Sequence, residues 1–112
     1  MRDTIMPGEL HEMMERGDPL IILDVRKETY EHRQILGAHR YAGRQLENHE
    51  SLPFGHNENI VVYCTSGNSS RRIAESLRTR GLHAAALDGG FEAWAVMGLP
   101  TEPLGERINL NE

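Results

Sequence analysis

The stretch Ile60–Gly81, IVVYCTSGNSSRRIAESLRTRG, changes pattern twice along its length. Ile60–Cys64 is a short apolar run rich in β-branched residues, which predicts a buried strand. Small polar residues follow over Thr65–Ser69, as is typical of a loop. Apolar residues spaced three and four apart then predict a helix over Ser70–Arg80, with a glycine just past its end. The stretch therefore predicts a strand–loop–helix unit that carries the only cysteine of the chain, Cys64, at the end of the strand.

The segments on either side of this unit alternate between strand-like and helix-like patterns. Before the unit we predict a helix from Pro7 to a stop at Gly17, a strand over Leu20–Val25, and short helices within Lys27–Ile35 and near Arg44–His49. After it we predict a strand over His83–Leu87 and a helix that carries Phe91 and Trp94 and ends before Gly98. This alternation implies an α/β fold with a mainly parallel central sheet and helices on both faces. One domain is predicted over residues 1–100. The polar tail, residues 101–112, is expected either to be loosely ordered or to form a strap across the domain.

The composition of the chain argues against several classes of protein. Its 112 residues include 17 acidic and 12 lysine or arginine side chains, and a net charge of −5 lacks the basic footprint that binding to nucleic acid or an anionic membrane needs. No apolar run approaches the length of a membrane span, and the first residues lack the apolar core of a signal peptide. A single cysteine cannot form an internal disulfide, so the cytoplasm is the expected location. The histidines show no paired spacing, so no metal site is expected, although one of them could act as a base for the cysteine.

The position of Cys64 is open to four interpretations: a nucleophile, a metal ligand, a phosphatase loop, or an ordinary loop after a strand. A thiol is mostly protonated at neutral pH, so a nucleophilic cysteine needs its anion stabilised. The positive end of a helix stabilises a thiolate by only about 0.3–2 kcal/mol, so several loop N–H groups must also point at the sulfur. Small loop residues leave room for such an arrangement. Those predicted to form an anion-binding cradle around the sulfur are Thr65, Ser66, Gly67, Asn68, Ser69 and Ser70.

Charged residues near the predicted site have both functional and structural interpretations. Arg71 and Arg72 lie in the first helical turn, where the helix dipole disfavours positive charge, so Arg71 is predicted to attract a substrate anion. The alternative is a surface ion pair of either arginine with Glu75. Asp24 ends a strand that is expected in the same sheet as the cysteine strand, so both side chains should reach one edge of the sheet. Asp24 is interpreted as a structural hydrogen-bond anchor, and Arg26 as the structural partner of a nearby acid.

Three motifs in this order resemble those of the single-domain rhodaneses, a family of sulfurtransferases. They are LIILDVR at Leu20–Arg26, CTSGNSSRR at Cys64–Arg72 and LDGGFEAWAVMGLP at Leu87–Pro100. A fourth segment, ILGAH at Ile35–His39, resembles the IPGA turn of that family. The resemblance extends from about residue 10 to residue 100 and implies a rhodanese-like fold.

By this resemblance, Cys64 is the residue that carries a persulfide. Its thiolate would take the sulfane sulfur of thiosulfate or of a persulfide donor, and a thiol, cyanide or a sulfur-acceptor protein would then remove that sulfur. The resemblance implies a cycle without a metal or an organic cofactor. Many rhodaneses carry a basic residue five positions after the cysteine, where this chain has Ser69. Weaker binding of doubly charged thiosulfate is therefore expected, which leaves a persulfide open as the natural donor.

Two other functions are considered for the same residues. Phosphatases that share the rhodanese fold have a Cys-x5-Arg loop, whereas the sixth residue after Cys64 is Ser70 and the seventh is Arg71. Because such catalysis depends on exact positioning of the arginine, phosphatase or arsenate reductase activity is not expected. Rhodanese-like folds also serve as binding or sulfur-relay modules with little free-standing activity. Silent members typically lack the cysteine, so the presence of Cys64 favours an active sulfurtransferase.

Overall fold

The computed structural model describes residues 2–27 and 31–111. Within these residues the chain forms, in order, β1 (Thr4–Ile5), α1 (Pro7–Glu15), β2 (Ile21–Asp24), β3 (Arg33–Ile35), β4 (His39–Tyr41), α2 (Gly43–Asn48), β5 (Asn59–Tyr63), α3 (Asn68–Thr79), β6 (His83–Leu87), α4 (Gly90–Val96), β7 (Thr101–Pro103) and β8 (Arg107–Ile108). In this described part of the chain, no helix combines the length and the apolar character that a membrane span requires.

Six of the described strands form one parallel sheet in the order β1-β6-β5-β2-β4-β8. In its centre Leu23 of β2 pairs with Val62 of β5, and Val62 pairs with Ala86 of β6. These central strands are nearly continuous apolar runs because the sheet is covered on both faces. The α/β fold with a mainly parallel sheet, predicted from the alternating pattern, is confirmed.

Helices cover both faces of the sheet and create two hydrophobic cores. One core lies between the sheet and α2 and α3, with Leu46 and Leu77 fully buried. The other lies between the sheet and α1 and α4, with Leu10 and Trp94 fully buried. Full burial of a large apolar side chain contributes roughly 1.5–3 kcal/mol to the free energy of unfolding. These two cores fix the sheet, and therefore the strand ends that carry the site.

The helix after Cys64 begins earlier than its sequence pattern indicates. It starts at Asn68 rather than at Ser70. Gly67 precedes it with φ of 105°, a conformation that residues with a side chain rarely adopt. The glycine reverses the chain so sharply that the first helical turn already forms part of the loop around the cysteine.

The short helix predicted within Lys27–Ile35 is wrong in the part that the structure describes. Arg33–Ile35 is β3, which pairs in antiparallel fashion with β7. The side chain of Arg33 also donates a hydrogen bond from Nε to Oγ1 of Thr101, at 2.6 Å. Pairing with a segment so distant in sequence outweighs the local preference for a helix. The part of the prediction at residues 28–30 lies outside the described residues.

The described residues of the tail lie against the domain. β7 pairs with β3, and β8 pairs in parallel with β4 at the edge of the central sheet. Arg107 donates a hydrogen bond from Nη2 to the carbonyl oxygen of Arg26, at 3.1 Å. The N–H of Leu110 donates to Oε1 of Gln45 on α2, at 2.9 Å. The tail therefore contacts the two segments, one after β2 and the other α2, that form walls of the cavity described below.

Candidate active site

Cys64 lies at the carboxyl end of β5, where the central sheet opens to a cavity of about 660 Å³. Asp24 at the end of β2 pairs in register with Tyr63, so β2 and β5 end side by side as expected. The cavity walls come from the segment after β2, from α2, and from the loop and first turn of α3. The cysteine side chain is largely buried among these walls, with 6% of the residue exposed.

The loop around Cys64 turns hydrogen-bond donors toward the sulfur. The N–H of Gly67 donates to Sγ at 3.1 Å. The backbone N–H groups of Ser66 and Ser70 also stabilise the anionic sulfur. Such a ring of N–H groups offers an anion several partial positive charges at once, at the start of a helix whose dipole has the same sign.

These contacts lower the pKa of the Cys64 thiol. Burial raises the pKa, because an anion loses hydration in the protein interior. Hydrogen bonds from the hydroxyl of Ser70 and from the backbone N–H groups of Ser70, Gly67 and Ser66 favour the thiolate and outweigh burial. The net shift is downward from the ordinary value of a thiol, so a larger fraction of Cys64 is nucleophilic at neutral pH.

Ser70 can serve both protonation states of the cysteine. Its fully buried hydroxyl lies 3.4 Å from Sγ of Cys64 and 3.3 Å from the carbonyl oxygen of Gly67. With a neutral thiol, the S–H can donate to Oγ while the hydroxyl donates to Gly67. With a thiolate, the single hydroxyl hydrogen turns toward the sulfur instead. The side chain therefore needs only to rotate its hydrogen when the cysteine loses its proton.

The outer side of the loop is held by the start of α4. The N–H of Phe91 donates to the carbonyl oxygen of Cys64 at 2.9 Å, and the N–H of Glu92 donates to that of Thr65 at 3.0 Å. Gly90 lies between these contacts with φ of 60°, and a Cβ atom there would approach both carbonyl oxygens to 2.6 Å. Because α4 binds the carbonyl groups from outside, the loop can direct its N–H groups inward. The glycine pair before Phe91 thus belongs to the architecture of the site.

Asp24 and Arg26 form a buried ion pair beside the cysteine strand. Nη2 of Arg26 lies 2.7 Å from Oδ2 of Asp24, and both side chains are almost fully buried. Tyr63 donates its hydroxyl to the same carboxylate oxygen at 3.0 Å, and the guanidinium of Arg26 packs over the ring of Phe91. Burial lowers the pKa of Arg26, but hydrogen bonding and charge attraction from Asp24 outweigh it and raise the pKa. The pair links the ends of β2 and β5 to α4.

The structure brings most of the predicted site residues together. Thr65, Ser66 and Ser69 line the cavity with Cys64, while Gly67 and Ser70 contact its sulfur. Asn68, the remaining residue of the predicted cradle, is exposed as the first residue of α3.

The two arginines of α3 occupy different positions. Arg71 is not among the residues that line the cavity, and its Nη2 pairs with Oδ1 of Asp88 at 3.0 Å. Arg72 lines the cavity, and its Nε pairs with Oε2 of Glu47 at 3.4 Å. The alternative, a surface pair of either arginine with Glu75, is not what forms, because each arginine pairs with an acid of another segment.

Three charged residues of the cavity were not singled out from the sequence. Lys27 follows β2, and Arg44 and Glu47 lie on α2. The spacing of three residues between Arg44 and Glu47 shows that they share a helix face, but nothing local shows that this face turns toward the cysteine. With Arg72, the described part of the walls carries three cations and one carboxylate besides Arg26, which is paired with Asp24. This balance favours an anionic ligand.

The described cavity holds neither a histidine nor a cluster of metal-ligating side chains. No histidine is among its lining residues. Over residues 2–27 and 31–111, no three His, Cys, Asp or Glu side chains are grouped closely enough to hold a metal ion. Within that part of the chain, Ser70 is the side chain that shares a hydrogen bond with the sulfur of Cys64.

Comparison with known proteins agrees with this geometry. The sequence matches the Rhodanese-like domain family over residues 6–97. The chain belongs to this family. A thiosulfate sulfurtransferase GlpE from Glaesserella parasuis is 31% identical to this rhodanese-like domain over 105 residues, which cover 88% of this chain and 91% of the relative. The resemblance inferred from the motifs is therefore confirmed.

Solved structures of similar fold include proteins with different descriptions. The rhodanese-like domain of an Anabaena protein has a TM-score of 0.81 and 28% identity, and the match covers 98% of this chain and 92% of that one. A Rhodopseudomonas palustris protein of unknown function, described as a possible tyrosine phosphatase, has a TM-score of 0.77 and 25% identity, with 89% and 84% covered. Both confirm the fold of this rhodanese-like domain.

Proposed function

We propose that this rhodanese-like domain is a sulfurtransferase that carries sulfane sulfur on Cys64. The observation that carries the proposal is the set of inward donors around Sγ, which includes the N–H of Gly67 at 3.1 Å. These donors lower the pKa of Cys64 inside a cavity that admits a small anion. The names of the GlpE relatives supply thiosulfate as a donor to consider.

In the first step, the thiolate of Cys64 attacks the outer sulfur of thiosulfate. A bond forms between Sγ and that sulfur, and the sulfur–sulfur bond of thiosulfate breaks. Sulfite leaves with the electron pair, and the enzyme is left as a persulfide anion, Cys64–S–S⁻. A persulfide donor would react in the same way and release its thiolate.

In the second step, an acceptor removes the outer sulfur of the persulfide. A thiolate or cyanide attacks this sulfur, the sulfur–sulfur bond breaks, and the electron pair returns to Sγ of Cys64. A thiol acceptor must first lose its proton to solvent. The negative charge stays on sulfur within the loop before and after each step, so the same N–H groups stabilise both forms.

The proposed substrates follow from the charge of the cavity. Its cations suit thiosulfate, an anionic persulfide or an anionic thiol. The acceptor would be a small thiol or the thiol of an acceptor protein. The cycle calls on no metal or organic cofactor, and the cytoplasm is its proposed location, since protein thiols remain reduced there.

A binding or sulfur-relay module with little free-standing activity is the alternative within the same family. The two functions differ in whether small donors and acceptors turn over at Cys64. A module would bind its partner through the surface, whereas the N–H of Gly67 that donates to Sγ supports chemistry at the sulfur itself.

Steady-state transfer of sulfur from thiosulfate to cyanide tests the proposal. We expect thiocyanate formation with ping-pong kinetics, in which the donor and the acceptor give parallel double-reciprocal lines. Cys64→Ser should abolish turnover, while Ser66→Ala, which keeps the backbone N–H groups, should retain most of it. Turnover that persists in Cys64→Ser, or its absence with every small donor and acceptor tried, would contradict the proposal.

A further inference from the structure

The side chain of Arg72 faces the same cavity as Cys64, although the sequence favoured its neighbour. Successive residues of an α-helix point about 100° apart, so adjacent arginines cannot share one direction. Arg71 turns toward Asp88, and Arg72 turns to the cavity wall. Ser69, one turn earlier on the cavity face, carries no charge. Arg72 is therefore the first cation after Cys64 that lines the cavity.

Glu47 on α2 contacts the guanidinium of Arg72. The distance from Nε to Oε2 is 3.4 Å, and that from Nη2 to Oε1 is 3.5 Å. The side chain of Arg72 is 65% exposed and that of Glu47 is 24% exposed. Contacts this long to a largely exposed guanidinium contribute little to stability, so the pair can open without a large cost. A soluble anion entering the cavity meets a guanidinium that is only loosely bound.

We propose that Arg72 binds the anionic group of the sulfur donor and that Glu47 is the internal carboxylate which this anion displaces. The inference rests on the proposed function, because it names the substrate contact of the same site. The planar guanidinium can present two N–H groups to a sulfite-like oxyanion, as it does to a carboxylate. In the transfer step the departing sulfite gains charge, so the same contact stabilises the leaving group. Glu47 lowers the affinity for anionic donors in two ways, by occupying Arg72 and by repelling the incoming charge.

Kinetics of persulfide formation with thiosulfate test this assignment in three variants. Arg72→Gln should lower kcat/KM about tenfold, the effect of losing one charge-assisted hydrogen bond at a partly exposed site. Arg71→Gln removes the neighbouring cation and should change kcat/KM by less than about twofold, since Arg71 does not line the cavity.

Glu47→Gln should raise kcat/KM and lower KM. Added salt should reduce kcat/KM less steeply in Arg72→Gln than in the wild type, because fewer charges are left to screen.

The outcomes separate this inference from the proposed function. If the wild type acquires no sulfur from any donor, the proposed function fails and with it the inference. If the wild type reacts but Arg72→Gln loses no more activity than Arg71→Gln, the assignment of Arg72 is wrong while the sulfurtransferase stands. A kcat/KM for Glu47→Gln at or below that of the wild type would overturn the competing role of Glu47. Thermal unfolding of each variant checks that the exposed substitutions leave the fold intact.

Discussion

The backbone N–H of Phe91 donates a hydrogen bond to the carbonyl oxygen of Cys64, at 2.9 Å. This bond joins the start of α4 to the residue that carries the reactive sulfur. It orients the peptide group of Cys64 so that its oxygen faces α4 and leaves the cavity side of the loop to N–H groups. A helix that does not touch the sulfur thus helps to set the geometry on which the thiolate depends.

Gly90 is expected to be indispensable for this contact. A Cβ atom at Gly90 would lie 2.6 Å from the carbonyl oxygens of both Cys64 and Thr65, whereas one at Gly98 would meet nothing within 4 Å. Both glycines have positive φ. Gly90→Ala should therefore lower the free energy of unfolding by roughly 2–4 kcal/mol, and Gly98→Ala by only about 1 kcal/mol. Urea unfolding measures the free energy of unfolding of both variants. Equal decreases would show that the close approach of Gly90 to the loop does not affect stability.

Ser70 is expected to support the thiolate of Cys64. Its hydroxyl is 3.4 Å from Sγ and helps to lower the pKa of the thiol, so Ser70→Ala should raise that pKa. Alkylation by iodoacetamide across pH follows the thiolate. The wild-type midpoint should lie below the ordinary thiol value of about 8.5, and that of Ser70→Ala should move upward.

Ser69→Ala is the matched control for this pH profile. Ser69 lines the cavity, but it is not among the groups that shift the pKa of Cys64. Its removal should leave the alkylation midpoint in place. A midpoint that moves equally in both variants, or in neither, would contradict the role assigned to the hydroxyl of Ser70.

Asp24 is expected to matter for stability because it neutralises a buried guanidinium. Asp24→Asn would leave Arg26 without its charge partner in the interior and should cost about 3–5 kcal/mol in free energy of unfolding. Asp18→Asn removes the acid of an exposed pair with Arg16 and should change stability little. Chemical denaturation gives the free energy of unfolding of both variants. A similar small decrease in both would mean that the buried pair contributes no more to stability than a surface pair does.

Phosphatase activity is expected to be negligible. The guanidinium nearest to the Cys-x5-Arg position is that of Arg71, which pairs with Asp88 and does not line the cavity. The sixth residue after Cys64 is Ser70, whose hydroxyl cannot neutralise a phosphate. Purified protein should show no more hydrolysis of p-nitrophenyl phosphate than Cys64→Ser does. Cys64-dependent turnover of this compound would reopen the phosphatase alternative.

The parts of the fold with strong local signals could be predicted from the sequence. The β-branched run before Cys64 and the amphipathic pattern after it predict β5 and α3 with ends that differ only slightly from those observed. β3 could not be predicted in this way, because Arg33–Ile35 becomes a strand only through pairing with Thr101–Pro103. Its own pattern favoured a helix, and only contact with the tail decides otherwise.

The candidate site shows the same division between local and long-range information. The cradle of small residues next to Cys64 is visible in the sequence because it is continuous. Which of Arg71 and Arg72 lines the cavity is not visible in the sequence, since it depends on where Asp88 and Glu47 lie in the folded chain. The role of Gly90 likewise depends on a close approach between α4 and the loop, which no local pattern encodes.

Intact-mass spectrometry of the protein after treatment with thiosulfate is the decisive test of sulfur transfer to Cys64. We predict a gain of one sulfur atom on Cys64, which cyanide or a thiol removes and which Cys64→Ser never acquires. A gain only with a persulfide donor would keep the mechanism and change the donor. A Cys64 that alkylates readily yet takes up no sulfur from thiosulfate or from any persulfide would contradict the account.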